Sequence, residues 1–205
     1  MNTEGYCVFK EFVYVSPFVK KLETYRNKTQ YILNGQGHND HKRQQVKLPA
    51  PMVKVIQQKL QTHYPTHTII DFVLLKSLPG CQRQQAHTDY IPDIALHQCP
   101  NERLPLLCLV AIEPNTRLIV WPGSHKVVQG LGRSKEPIEP KMLILDPGDA
   151  LVFRADLVHA GAEYDSENIR IHCYLDTEIV PRDPNRTWVI QKHSDMLIQE
   201  KILEP

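Results

Sequence analysis

"GDALVFRADLVHAGAEYDSENIRIHCYLD", residues 148–176, holds two β-rich runs, ALVFR and RIHCYLD, on either side of a lone histidine, His159. The first run is apolar to Phe153, a short bend follows, and Arg170 opens the second run. Successive side chains of a strand point to opposite faces. Arg170, His172 and Tyr174 therefore share one face, and Ile171, Cys173 and Leu175 the other. Working outward, the chain from Thr68 carries more such runs: TIIDFVLLKSL, QQAHTDYI, LPLLCLVAI, RLIVW and MLILD. Pro79-Gly80, Glu113-Pro114-Asn115, Pro122-Gly123-Ser124 and Asp146-Pro147-Gly148-Asp149 punctuate them. Many short strands at this spacing predict an all-β sandwich or barrel.

Helices precede this region and do not alternate with it, which disfavours a doubly wound parallel sheet. GYCVFKEFVYV (5–15) reads as one strand or two short ones. Ser16-Pro17 then signals a helix start, continued by FVKKLETYRN. YILNGQGHNDHKRQQV (31–46) is polar and glycine-containing and reads as a loop. Pro51 opens a second helix in which Met52, Val55, Ile56, Leu60 and Tyr64 recur at helical spacing, as core-facing residues do. A final amphipathic helix is expected from Ser194 to about Leu203. The expected fold class is mainly β with flanking helices, in one domain over 1–205. A helical buttress spans about 16–64 and a β core about 68–180.

Composition narrows the function classes. With 24 Lys+Arg against 23 Asp+Glu, no bulk charge draws the chain to nucleic acid or membrane. Lys10 to Lys47 is locally basic, as a solvated helix and loop or as a phosphate-binding patch. Cys7, Cys81, Cys99, Cys108 and Cys173 form no C-x-x-C pair, which argues against a disulfide framework or a structural zinc site and points to a reducing compartment. Glu4, Lys10 and Glu11 interrupt what a signal peptide would keep apolar, and no apolar run is long enough to span a bilayer. The expectation is a soluble intracellular protein with no membrane span and no readable oligomeric state.

Chemistry enters at QQAHTDYIP (84–92). His87 and Asp89 are two apart, so in a strand they project side by side; this is a surface pair near a turn or two ligands of a metal. With His159 as a third ligand, two imidazoles and a carboxylate would leave adjacent positions open, the arrangement of non-haem iron(II) oxygenases. Arg170 could then hold the distal carboxylate of a 2-oxoacid through a bidentate, charge-assisted pair.

His87-x-Asp89, His159 and Arg170 resemble the H-x-D…H…R pattern of the iron(II)/2-oxoglutarate-dependent dioxygenases. NTRLIVWPGSHK (115–126), PGDALVFRADLVHAG (147–161) and the opening GYCVFKEFV resemble the phytanoyl-CoA dioxygenase-like branch, so the similarity runs from Gly5 to Asp176. The resemblance implies a double-stranded β-helix, a jelly-roll or cupin-like barrel. It implies iron(II) as cofactor, with 2-oxoglutarate and dioxygen as cosubstrates. The reaction it implies is hydroxylation of an unidentified substrate, with succinate and carbon dioxide as co-products. Two positions depart from the family's habit. Asn115 is followed by Thr116 and Arg117 where an Asn-Gly pair is usual, and Gly161 stands where many members place a hydroxyl.

Other residues keep two readings. Lys76 is a second cosubstrate contact or a solvated strand-end lysine. Trp121 and His125 line the pocket mouth, or Trp121 is core packing; Arg117 meets an anionic substrate or is simply exposed. His172 touches cosubstrate or substrate, or is a satisfied core histidine. A small-molecule substrate is expected, with peptide or nucleic acid as alternatives. A non-catalytic metal-binding sensor or pseudoenzyme and a cupin-type isomerase or lyase are the competing classes; the latter would have no use for Arg170.

Overall fold

The computed structural model describes residues 3–33, 39–91, 94–128, 137–183 and 187–190. Among them, two antiparallel sheets form. The larger contains β1 (Tyr6–Phe9), β2 (Gln30–Leu33), β3 (Asn39–Lys47), β4 (Thr68–Ser77), β6 (Leu106–Ala111), β9 (Ala150–Arg154) and β11 (Asn168–Asp176). Its spatial order is β1-β9-β6-β11-β4-β3-β2. The smaller contains β5 (His87–Thr88), β7 (Thr116–Val120), β8 (Lys141–Leu145), β10 (His159–Gly161) and β12 (Trp188–Val189), in the order β12-β5-β10-β7-β8. The mainly β architecture expected from the turn spacing is the one that forms.

Strand parity builds the layers. Leu106, Cys108 and Val110 of β6, Ala150 and Val152 of β9, and Ile169, Ile171, Cys173 and Leu175 of β11 face one way. There they meet α1 (Ser16–Arg26) and α2 (Ala50–His63) through Leu22, Val53, Ile56 and Leu60. Leu107, Leu109, Leu151 and Phe153 face the opposite way and pack on Leu118, Val120, Leu143 and Leu145 of the smaller sheet. With both faces covered, β6 is buried at all six positions and reads as a continuous apolar run instead of an alternating one. A third cluster, including Ile119, Trp121, Ala160 and Tyr164, covers the outer side of the smaller sheet.

Two expectations change. The segment 31–46, read as a loop, contributes β2 and β3, although residues 34–38 lie outside those described. β3 pairs with β4 in the register Arg43↔Ser77 to Lys47↔Val73, so its backbone is satisfied by a neighbour and not by its own apolar pattern. Gln45 and Lys47 line a cavity, which explains a polar strand. In α2, Val55 is 49% exposed while Val53 takes the inward position, so the buried stripe is Val53, Ile56 and Leu60. The helix expected from Ser194 lies outside the described residues.

Asp71 sets the phase of β4. Its φ of 52° is left-handed, and the pairing with β11 slips there: His172 faces Val73, whereas Tyr174 faces Ile70. The bulge lets Ile69 and Phe72, three apart, both face the helical layer, which an unbroken strand would forbid. Val73, Leu75 and Ser77 are thereby turned toward the space between the sheets. Gly148 (φ 95°) serves the G-D turn before β9: a Cβ there would stand 2.4 Å from the Val13 carbonyl oxygen.

Candidate active site

Backbone pairing assembles the three expected ligands. β5 and β10 are antiparallel, and His159 stands directly opposite His87, their ring centroids 4.4 Å apart. Asp89 follows two residues after His87 and enters the same space. One donor atom from each residue lies within 4.8 Å of the others. Asp89 Oδ1 is 3.7 Å from His87 Nε2 and 3.8 Å from His159 Nε2.

Hydrogen bonds aim these donors. His87 Nδ1 donates to the Gln85 carbonyl at 2.7 Å and His159 Nδ1 to the Leu157 carbonyl at 3.0 Å. A carbonyl only accepts, so the proton sits on Nδ1 and each Nε2 presents a lone pair to the cluster. Tyr174 donates its hydroxyl to Asp89 Oδ2 at 3.0 Å, leaving Oδ1 facing the two imidazoles. Burial works against the Asp89 carboxylate, but His159, His87, His172 and the Tyr174 hydroxyl outweigh it and hold its pKa below the usual carboxylate value. Burial, reinforced by His87, lowers His159 to about 4, so its ring is neutral at neutral pH. Two imidazoles and one carboxylate at this spacing could hold a divalent transition metal.

The cluster opens into a cavity of about 630 Å³. Leu109, Phe153 and Leu118 form apolar wall; Arg170, His172 and Tyr174 enter from β11, as their shared parity requires. Arg170 is 5% exposed, donates to Ser77 Oγ at 3.0 Å and lies 5.6 Å from the Tyr164 ring centroid. Among the described residues no carboxylate pairs with it. Burial lowers its pKa, and Arg43 adds to that. A buried, uncompensated guanidinium is costly unless an anion completes it, so the site fits a carboxylate-bearing cosubstrate.

The remaining candidates divide. His172 is in the cavity, its ring 4.9 Å from Tyr174's, and burial lowers it to about 4. Lys76 is not there: β4 presents Val73, Leu75 and Ser77 inward, so Lys76 points outward to Glu167 at 3.5 Å. Arg117 and Trp121 do share a face, but it is the outer one. Arg117 lies over the Tyr164 ring at 5.0 Å and Trp121 is fully buried in the outer cluster, while Leu118 takes the cavity side of β7. His125 packs beside Gly5 and Leu157, away from the cavity. The P-G-S-H turn instead acts through Ser124, whose Oγ accepts from the Val158 N–H at 2.9 Å and so fixes the start of the His159 strand.

Several contributors left no mark in the sequence. Ser77 meets Arg170 only because β4 and β11 pair. Arg182 lies 3.8 Å from the Tyr174 ring centroid and pairs with Asp71 and Asp176, bracing the tyrosine that holds Asp89. No spacing rule relates residue 182 to residue 89.

Known proteins resemble the chain in sequence or in fold. The chain is 33% identical over 132 residues to the dioxygenase trt7 of Aspergillus terreus, which covers 60% of this chain and 45% of that protein. It is 25% identical over 130 residues to the iron/α-ketoglutarate-dependent dioxygenase okaE of Penicillium ochrochloron, covering 58% and 43%. The chain thus spans under half the length of these curated relatives. No family model matches. Among solved structures, HygX of Streptomyces hygroscopicus with nickel, 2-oxoglutarate and hygromycin B has a TM-score of 0.65 at 14% identity, covering 86% of this chain and 84% of that one. The epimerase SnoN from nogalamycin biosynthesis, in complex with Fe3+, α-ketoglutarate and nogalamycin RO, scores 0.61 at 13% identity, covering 94% and 93%. A prolyl hydroxylase from Trichoplax adhaerens with a hypoxia inducible factor peptide scores 0.59 at 13%, covering 86% of each. Over part of its length the chain is thus similar in sequence to two dioxygenases, and it shares its fold with solved 2-oxoglutarate-bound structures.

Proposed function

We propose that this protein is an iron(II)- and 2-oxoglutarate-dependent dioxygenase that oxidises a small molecule, hydroxylation being the expected outcome. The observation that carries the reading is the pairing, in one cavity, of a His-Asp-His donor cluster with a buried arginine that among the described residues has no carboxylate partner. His87, Asp89 and His159 would hold iron(II), and Arg170 would take the distal carboxylate of 2-oxoglutarate. The metal with that cosubstrate and dioxygen supplies an oxidative decarboxylation, giving succinate and carbon dioxide, coupled to attack on a substrate C–H bond.

The chain supplies position and environment. Tyr174 keeps one Asp89 oxygen engaged, which favours a single Asp89 oxygen at the metal. The carbonyls of Gln85 and Leu157 keep both imidazoles in the ligating tautomer. Leu109, Leu118 and Phe153 exclude water from part of the wall, which strengthens the Arg170–carboxylate pair. A cavity of about 630 Å³ has the size of small-molecule sites. HygX and SnoN, with hygromycin B and nogalamycin RO bound, support a small molecule over a peptide. The P-G-S-H turn and the G-D strand support the phytanoyl-CoA dioxygenase-like branch. The test is direct: purified protein reconstituted with iron(II) should convert 2-oxoglutarate to succinate, and Asp89→Ala should not. Wild-type protein that binds iron(II) yet forms no succinate with any of a panel of small molecules would favour the non-catalytic sensor.

A further inference from the structure

The cavity has a second end, away from Arg170. Strand pairing sets its floor in rows: Arg170, Leu75 and Gln45 stand in one, and His172, Val73 and Lys47 in the next. Beyond them Asp71, at the bulge of β4, lines the cavity. Arg182 enters over the Tyr174 ring, and Thr187 enters at the Asp89 end of β5, because Trp188 pairs with Thr88. These side chains lie past the donor cluster as seen from Arg170, and the proposed chemistry gives them no task.

The two ends differ in charge. Arg170 meets no carboxylate among the described residues, whereas Arg182 pairs with Asp71 and, at 3.4 Å, with Asp176. Asp71 also pairs with Lys47 at 3.2 Å. Burial works against the Asp71 carboxylate, but hydrogen bonds from Lys47 and Arg182 outweigh it and hold its pKa below the usual value. Two cations and two carboxylates cancel, and an anion placed here would face Asp71. Polar capacity is nevertheless left over. Among the described residues, Lys47 Nζ has one partner, and Arg182 Nη1, the Thr187 hydroxyl and the Gln45 amide have none. An apolar ligand would strip water from these groups and return no hydrogen bonds.

We propose that this charge-balanced end of the cavity binds the substrate, and that the substrate is a neutral polyhydroxylated molecule, a polyol or glycoside, hydrogen-bonded by Lys47, Asp71, Arg182 and Thr187. A hydroxyl both donates and accepts, so it meets a carboxylate and a guanidinium alike without breaking their ion pair. The proposal rests on the reading of the Arg170 end as the 2-oxoglutarate site. Iron(II)-loaded protein, first saturated with 2-oxoglutarate and kept without oxygen, is titrated calorimetrically with three probe sets. These are methyl glycosides and neutral disaccharides, then uronic acids and sugar phosphates, then steroids. The neutral sugars should bind more tightly than either other set by roughly tenfold or more, the effect of a buried polar group left unpaired. Thr187→Val removes one hydroxyl and keeps the shape; it should weaken neutral-sugar binding about fivefold, the usual loss for one neutral hydrogen bond. Thr187→Ser should restore it. Absence of neutral-sugar binding, tighter binding of the anionic sugars or the steroids, or unchanged neutral-sugar affinity in Thr187→Val overturns the proposal and leaves the 2-oxoglutarate site intact. If wild-type protein takes up no 2-oxoglutarate in the first step, that reading falls and the proposal with it.

Discussion

At the scale of single residues, the donors' roles separate cleanly by experiment. Asp89 carries the one negative charge of the donor cluster, so Asp89→Ala should abolish iron(II) binding measured by calorimetry. Tyr174→Phe removes only the hydrogen bond to Asp89 Oδ2. It should weaken iron(II) binding by roughly tenfold or more, the usual effect of losing a partner that orients a ligand. Arg170→Ala should leave iron(II) affinity alone and raise the 2-oxoglutarate requirement at least tenfold, since truncating one partner of a buried charged pair costs roughly 2–5 kcal/mol. These residues were legible in the chain because each has chemistry that is rare at its spacing. Ser77 and Arg182 were not, since a serine and an arginine are ordinary until a fold brings them to Arg170 and Tyr174.

At the scale of elements, β4 and β7 carry the informative tests. Asp71 combines a left-handed backbone (φ 52°) with ion pairs to Arg182 and Lys47. Asp71→Gly and Asp71→Ala both lose the ion pairs, but alanine also meets the left-handed penalty. Urea unfolding should find the alanine variant about 1–2 kcal/mol less stable than the glycine variant. Equal stabilities would mean that the bulge relaxes. On β7, Trp121 is fully buried in the outer cluster, and Trp121→Ala should cost about 3–5 kcal/mol of stability. Folded variant at low temperature should retain 2-oxoglutarate affinity. Parity within the RLIVW strand correctly grouped residues 117, 119 and 121. Which of its two faces met the cavity depended on how the smaller sheet packs, and Leu118 took that side.

At the scale of the whole molecule, burial of titratable groups links stability to pH. His125 is lowered to about 4, first by burial and then by Arg154; His172 is lowered to about 4 by burial. Their folded pKa values lie below the ordinary imidazole value, so the unfolded chain takes up protons first as pH falls. Each contributes stability that is present in full above about pH 6.5 and lost as pH falls toward 4. His125→Leu, which lies outside the cavity, should reduce the stability lost between pH 7 and pH 5 by about 1–2 kcal/mol. Urea denaturation at the two pH values checks this, and an unaltered pH slope would show that His125 does not carry the effect. Among the described residues no helix is long and apolar enough to cross a membrane.

Sequence alone determined the β-rich class and the helices at Ser16–Arg26 and Ala50–His63, and it singled out His87, Asp89 and His159 as candidate ligands. Those follow from local physics: side-chain period, turn residues, and the scarcity of an H-x-D followed by a lone histidine and an arginine. Tertiary structure alone decided that His87 and His159 stand opposite one another, because antiparallel register is a property of two strands and not of either. It also decided that the polar segment 39–47 is a strand, since β4 supplies the pairing that its own residues do not advertise. The same holds for Arg182, which the fold brings to Asp71, 111 positions away. Contacts of that separation leave no period in the chain, so only the closed fold reveals which groups meet at the cavity.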